Sequence, residues 1–272
     1  MNSADKDIKK RVLFLTDLKN GDSEEDEYLI GLLRKSFDVV VSHPLECLEL
    51  LGSVDGVVIR NIWPTYRYIR EWTALKEKMS NLSIPTFNSL TGKGDNNGKD
   101  YLVDLTRKGF PVIPSVDSLE DIDSLPSTRF YWIKPKEGAD GYGAKKLKKE
   151  DLRDEDLKDF IIQPYVEFLE EPSFFFIDGK FSYAIVASNR LSQSSVLPYS
   201  PTERDLVFAE KFVEWNALPH GIQRIDALRT KTGELLLTEV EDIAPFLYLF
   251  DLEETAMKKI SDDLIASIRS IF

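Results

Sequence analysis

Cysteine is nearly missing from this chain. Cys47 stands alone among 272 residues, so no disulfide can form within the chain and no thiolate cage can hold a metal. Histidine is almost as scarce, and two of them exclude a His-rich metal centre. No apolar run is long enough to span a bilayer and no apolar stretch follows the charged N-terminus, which leads us to expect a cytoplasmic protein with no membrane partner. Positive charge is in deficit: 35 Lys and Arg face 47 Asp and Glu, a formal net charge of -12. That balance argues against a nucleic-acid partner and means that a polyanionic ligand needs a local basic pocket. The P-loop pattern Gly-x-x-x-x-Gly-Lys-Ser/Thr is absent, and the densest glycine cluster is not followed by the helix that a dinucleotide fingerprint requires.

What is present suffices for a folded, multi-domain chain. With 42% hydrophobic and 11% aromatic residues a core can be buried, and the length suits two or three domains sharing a cleft. Short apolar runs at residues 12–16, 39–41 and 57–59 read as buried parallel strands, with a helical pattern ending at Leu33 between the first two. Strand, helix, strand alternation makes the N-terminal part a small doubly wound α/β domain. Ligands of such sheets sit beyond the carboxyl ends of the strands, which marks Arg60 and Trp63 as contacts for an anionic substrate; the plainer reading is an arginine snorkelling over Trp63 at the core edge.

The most informative stretch is residues 221–245, two β-type runs around a Thr-Lys-Thr-Gly turn. Side chains two apart on a strand share a face, so Arg224 lies with Asp226 and Glu239 with Glu241. A connection of about four residues, 231–234, sets Asp226 opposite Glu239 and Arg224 opposite Glu241. Carboxylates directly opposed on a ladder repel unless a cation sits between them. Three acidic ligands with open positions suit Mg²⁺, and Arg224 adds a fixed fork for a phosphate or an oxyanion. The bland alternative is a solvated, charged hairpin face.

Two further stretches fit a phosphate-binding role. An apolar strand at residues 130–133 delivers Lys134, and Gly138, Gly141 and Gly143 leave backbone amides free to curl round phosphate oxygens, where the alternative is an ordinary flexible hairpin turn. Residues 160–166 leave an apolar strand into a Pro-restricted connection, a suitable slot for a purine. Residues 151–159 read as a charged helix, 173–186 as a hairpin turning at Asp178-Gly179, 202–215 as a helix, 246–250 as a buried segment and 252–272 as a closing amphipathic helix.

Taken together, Lys99-x-Tyr-Leu, Lys134-Pro before a glycine-rich turn, Arg224-x-Asp226 and Glu239-x-Glu241 before Pro245 resemble, in order and spacing, the ATP-grasp ligases of the glutathione-synthetase-like branch. One departure is Ala244-Pro245-Phe246, where that branch often carries Glu-Pro-Ser. The resemblance implies an α/β (α+β) architecture: a Rossmann-like pre-ATP-grasp substrate domain over residues 1–98, a lid subdomain over 99–166 and a C-terminal subdomain with the metal hairpin over 167–272. It implies that ATP is bound by Lys99, Lys134, Gly138, Gly141, Gly143, Gln163, Tyr165, Val166 and, at the ribose, Glu171, with Glu167 or Glu170 serving after a slip of the loop. Asp226, Glu239 and Glu241 would hold Mg²⁺, or Mn²⁺ in its place, and Arg224 and Arg190 would act in catalysis. The implied reaction joins a small-molecule carboxylate to an amine through an acylphosphate, releasing ADP and phosphate. A small-molecule kinase and a regulatory nucleotide-binding module are the alternatives. The sequence is silent on oligomeric state, and the resemblance allows a homodimer.

Overall fold

The computed structural model describes residues 9–17, 23–62, 65–138, 141, 143–187 and 196–272. They form two compact units, one of Met1–Leu90 with Phe246–Phe272 and one of Thr91–Pro245. No helix among the described residues is long and apolar enough to cross a membrane.

The first unit is built on four parallel strands, β1 (Arg11–Leu15), β2 (Asp38–Ser42), β3 (Gly56–Ile59) and β4 (Thr86–Phe87), in the order β2-β1-β3-β4. β1 and β3 are central and buried on both faces, which is why they read as unbroken apolar runs. Helix α1 (Ser23–Leu33) connects the first two strands, and α2 (Ile69–Asn81) connects β3 to β4. α2 leaves only a weak trace in the sequence. Only Trp72, Leu75 and Met79 of its thirteen residues are buried, a stripe thinned by the charges around it. The closing helix is present as α5 (Glu254–Ser270), burying Ile260, Leu264, Ile265 and Ile268. The segment expected to bury from 246 to 250 does so only in part. Leu247 and Leu249 are fully enclosed, whereas Phe250 is 52% exposed, and Tyr248 between the two leucines adopts a left-handed conformation (φ 56°).

The second unit holds two antiparallel sheets. In the smaller, β5 (Phe130–Pro135) lies between β6 (Lys145–Lys148) and β7 (Phe160–Pro164) over a core of Val116, Ile122, Tyr131, Ile133, Leu152 and Ile162. The helix expected at 151–159 is only a 3₁₀ turn, Lys149–Asp154, for Leu152 and Leu157 alone offer it an apolar side. The larger sheet contains β8 (Phe168–Glu170), β9 (Pro172–Ile177), β10 (Lys180–Ala187), β11 (Val196–Pro198), β12 (Ile222–Thr230) and β13 (Leu235–Glu241), in the order β11-β10-β9-β12-β13 with β8 beside β12. The β9–β10 turn falls at Asp178-Gly179, both at positive φ (50° and 73°), as the Asp-Gly signal indicates. Ahead of both sheets in sequence runs α3 (Asp100–Arg107), and α4 (Glu203–Asn216) buries Phe208, Ala209 and Phe212 in the core of the larger sheet.

A reciprocal capping box starts α4: the Thr202 hydroxyl accepts from the Asp205 amide, and the Asp205 carboxylate accepts from the Thr202 amide. The other Asp205 oxygen takes a 3.0 Å bond from Arg229. Thr202→Ala removes half of the box and should lower stability by about 1 kcal/mol, read as a lower urea midpoint with an unchanged slope.

Candidate active site

The β12–β13 hairpin meets the expected register by an unexpected route. The Thr230 amide bonds Glu234 O at 2.8 Å, so only residues 231–233 cross between the strands, one fewer than the sequence suggests. Arg229 pairs with Leu235 and Ala227 with Leu237, but Asp226 pairs with Glu239. The unmatched Thr238 is a β-bulge, and its extra residue restores the phase that the shorter turn removed. Arg224 therefore faces Glu241 and Asp226 faces Glu239, as read from the sequence.

Because β13 is the last strand of its sheet, its outer backbone groups need partners. Leu237 exchanges bonds with Pro111 O (2.9 Å) and the Ile113 amide (3.0 Å), and the Val240 amide donates to the Tyr101 hydroxyl at 2.7 Å. One residue past the strand, the buried Asp242 carboxylate accepts from the amides of Gly94 (2.7 Å) and Asn96 (3.0 Å). The loop that leads to Lys99 is thus pinned to the strand that carries Glu239. A Cβ on Gly92 would lie 2.2 Å from the Asp242 carboxylate. Gly92→Ala should accordingly displace Asp242 and cost about 1–3 kcal/mol, measured by chemical denaturation.

Three cations meet four carboxylates on this face. Lys99 Nζ lies 2.9 Å from Asp95 and 3.2 Å from Glu239, and Lys134, at the end of β5, reaches Glu239 at 3.6 Å. Arg224 bonds Asp226 through Nε (2.9 Å) and Nη2, and also holds Glu241. The Phe175 ring lies 6.0 Å from its guanidinium. Burial pushes the Asp95 carboxyl up to about 6, against Lys99 and with help from the negative charge of Glu239. Burial would raise Glu239 as well, but Lys99 and Lys134 together hold it below its ordinary value. Lys99 is held above its ordinary value because Asp95 and Glu239 outweigh the effect of burial. Glu241 is pushed up to about 8, chiefly by burial and then by Asp226, Glu239 and Asp95, against the pull of Arg224.

The expected metal cage is not assembled in this state. Among the described residues no three His, Cys, Asp or Glu side chains are grouped so that they could hold an ion. The physical reason is visible: Arg224 draws Asp226 and Glu241 to itself while the lysines draw Glu239 away. In kind, the donors still fit a hard divalent cation, being carboxyl oxygens of Asp226, Glu239 and Glu241 on one face. Asp226, Glu239 and Glu241 would hold it once Arg224 and the lysines turn to other partners.

The remaining predicted residues fall in varied places. Gly138 is buried, while Gly141 and Gly143 sit at positive φ (68° and 75°) in the turn between β5 and β6, as a glycine-rich turn requires. Gln163 is 1% exposed and donates at 2.9 Å to Ser115 Oγ, so its side chain points inward and braces the strand. Tyr165 and Val166 follow β7, half-buried, with Lys146 Nζ 3.4 Å from the centre of the Tyr165 ring. Glu170 is committed to Arg229 (2.7 Å) and Glu167 to Lys231, while Glu171 lies half-buried between β8 and β9. Arg60 departs from expectation. It is 3% exposed and bonded to Asp26 (3.2 Å) and Glu25 (3.5 Å), and Glu25 also accepts from the amides of Leu247 and Leu249. In the first unit it therefore braces the turn before α5 and is not an open fork for substrate. Trp63 and Arg190 lie outside the described residues.

Asp95, Tyr101 and Asp242 belong to the site but carried no sequence-based role. Asp95 stands four residues before Lys99, the helical spacing for an ion pair, and Asp242 directly follows Glu241; both signals were available.

No family model matches the chain, and no curated protein matches it by sequence. Solved structures do. D-cycloserine synthetase DcsG superposes with a TM-score of 0.76 at 21% identity, over 94% of this chain and 99% of its own. D-alanine–D-alanine ligase from Bacillus anthracis, solved with ATP, gives 0.67 at 14% identity over 96% and 98%. The chain has the ATP-grasp fold. The macrocyclase MdnC of Microcystis aeruginosa, bound with its precursor peptide, extends the set at 0.66 and 12% identity over 94% of this chain and all of its own. At these identities the ATP-grasp likeness is one of architecture, and the chemistry has to be argued from this chain's residues.

Proposed function

We propose that this chain is an ATP-dependent ligase that joins a small carboxylate to an amine and releases ADP and phosphate. One observation carries the reading: Lys99 and Lys134, delivered from α3's start and from β5, converge on Glu239 in the face that Asp226, Glu241 and Arg224 complete. A lysine pair beside an acidic face is what a nucleotide triphosphate and its cation require. Asp226, Glu239 and Glu241 would hold Mg²⁺, which would neutralise phosphate charge. Lys99 and Lys134 hold phosphate oxygens, and Gly138, Gly141 and Gly143 offer them backbone amides. The substrate carboxylate attacks the γ-phosphorus, the bond to ADP breaks, and the amine displaces phosphate from the acylphosphate. Arg224 supports the oxyanion of that second step, and the protein's contribution is positioning and charge compensation.

The structures that share the fold support ligation as a class, since D-cycloserine synthetase, D-alanine–D-alanine ligase and MdnC are named for joining or cyclising amino-acid and peptide groups. The test is release of ADP and phosphate across a panel of amino acids and dipeptides, with mass spectrometry of products. Condensed products support the ligase. A stable phosphorylated product without condensation would favour a kinase, and nucleotide binding without turnover across the panel would favour a regulatory module.

A further inference from the structure

Lys99 is held by a closed ring of hydrogen bonds for which the proposed reaction has no use. The Val240 amide donates to the Tyr101 hydroxyl at 2.7 Å, and that hydroxyl donates to Asp95 Oδ1 at 2.9 Å. Lys99 Nζ donates to Asp95 Oδ2 at 2.9 Å and lies 3.2 Å from Glu239 Oε1. The ring leaves β13 at Val240 and returns to it at Glu239, the adjacent residue. Asp95, Lys99 and Tyr101 are all buried. Asp95 is itself fixed from below, since Asp242 holds the amides of Gly94 and Asn96 on either side of it.

We propose that Asp95 is a positioning residue for Lys99, acting with Tyr101 to keep the ammonium aimed at the acidic face before and after nucleotide arrives. The proposal rests on the reading of Lys99 as a phosphate contact. An ammonium has three donors, so a phosphate oxygen can take the place of Glu239 while the bond to Asp95 persists. Lysine's four-carbon stem is flexible, and ordering it in advance removes a cost that binding would otherwise carry. The carboxylate has a second effect. When Glu239 turns to a cation, a buried Lys99 without Asp95 would have no anionic partner of its own and would compete for Glu239.

The test is a double-mutant cycle read by calorimetric titration with Mg²⁺ and a non-hydrolysable ATP analogue, so that binding is measured without turnover. Wild type, Asp95→Asn, Lys99→Met and the double variant are compared. Asp95→Asn should weaken binding about tenfold, and the double variant should bind no worse than Lys99→Met alone, because the aspartate acts only through the lysine. Additive losses, or wild-type affinity in Asp95→Asn, would overturn the proposal. A wild type that does not bind the analogue would instead overturn the nucleotide reading, and this proposal with it. If Asp95→Asn does not fold, as judged by circular dichroism, Tyr101→Phe replaces it in the cycle. The same pattern is then expected at smaller size, and additivity there is equally decisive against it.

Discussion

Replacing Glu239 with Gln is expected to lower turnover by about 10²- to 10³-fold, the scale seen when one preorganised electrostatic group is lost from a site. Glu239 is the residue on which both lysines converge, at 3.2 and 3.6 Å. The amide keeps an oxygen for Lys99 but loses the charge that holds Lys134 and that a divalent cation would require. Nucleotide affinity should weaken by less than about tenfold, because the lysines and the glycine turn remain. A fall in turnover with little change in affinity identifies a group that matters most in the transition state. Steady-state ADP release together with titration of the ATP analogue gives both numbers, and a loss of affinity with turnover unchanged would place Glu239 in binding alone.

Replacing Arg224 with Met should have the largest effect on stability. Its guanidinium is the shared partner of Asp226 and Glu241, and without it these two partly buried carboxylates face Glu239 uncompensated. Cutting a buried pair costs about 3–5 kcal/mol. Since Asp226 and Glu241 keep some contact with solvent, the lower end, about 3 kcal/mol, is expected here. Mg²⁺ should recover part of the loss, and should stabilise the variant more than the wild type, because binding to the folded state alone adds stability by mass action and no arginine competes. Urea unfolding of both proteins with and without Mg²⁺ measures this. An identical Mg²⁺ response in the two would separate Arg224 from the cation site.

Much of this was legible in the chain because the signals were local. The Arg224-x-Asp226 and Glu239-x-Glu241 spacing fixes which side chains share a face, and the pairing followed once the turn was placed. The pairing was right although the turn was one residue too long, since no composition signal marks the bulge at Thr238. What failed was context. The Arg60 guanidinium looked open because its partners, Glu25 and Asp26, lie more than thirty residues away in sequence. The bond from the Gln163 side chain to a buried serine 48 residues earlier was equally out of reach of local reading. Helix α2 was passed over because three buried residues among charges make a thin stripe. Likewise the sequence shows where three carboxylates lie on one face, but not that arginine and lysine hold them apart in this state.

The most direct test is a crystal structure with Mg²⁺ and a non-hydrolysable ATP analogue. The expected result is an ion ligated by Asp226, Glu239 and Glu241, with Lys99 and Lys134 turned from Glu239 to phosphate oxygens. A nucleotide bound elsewhere, or Glu239 still paired to both lysines with the analogue present, would contradict the account.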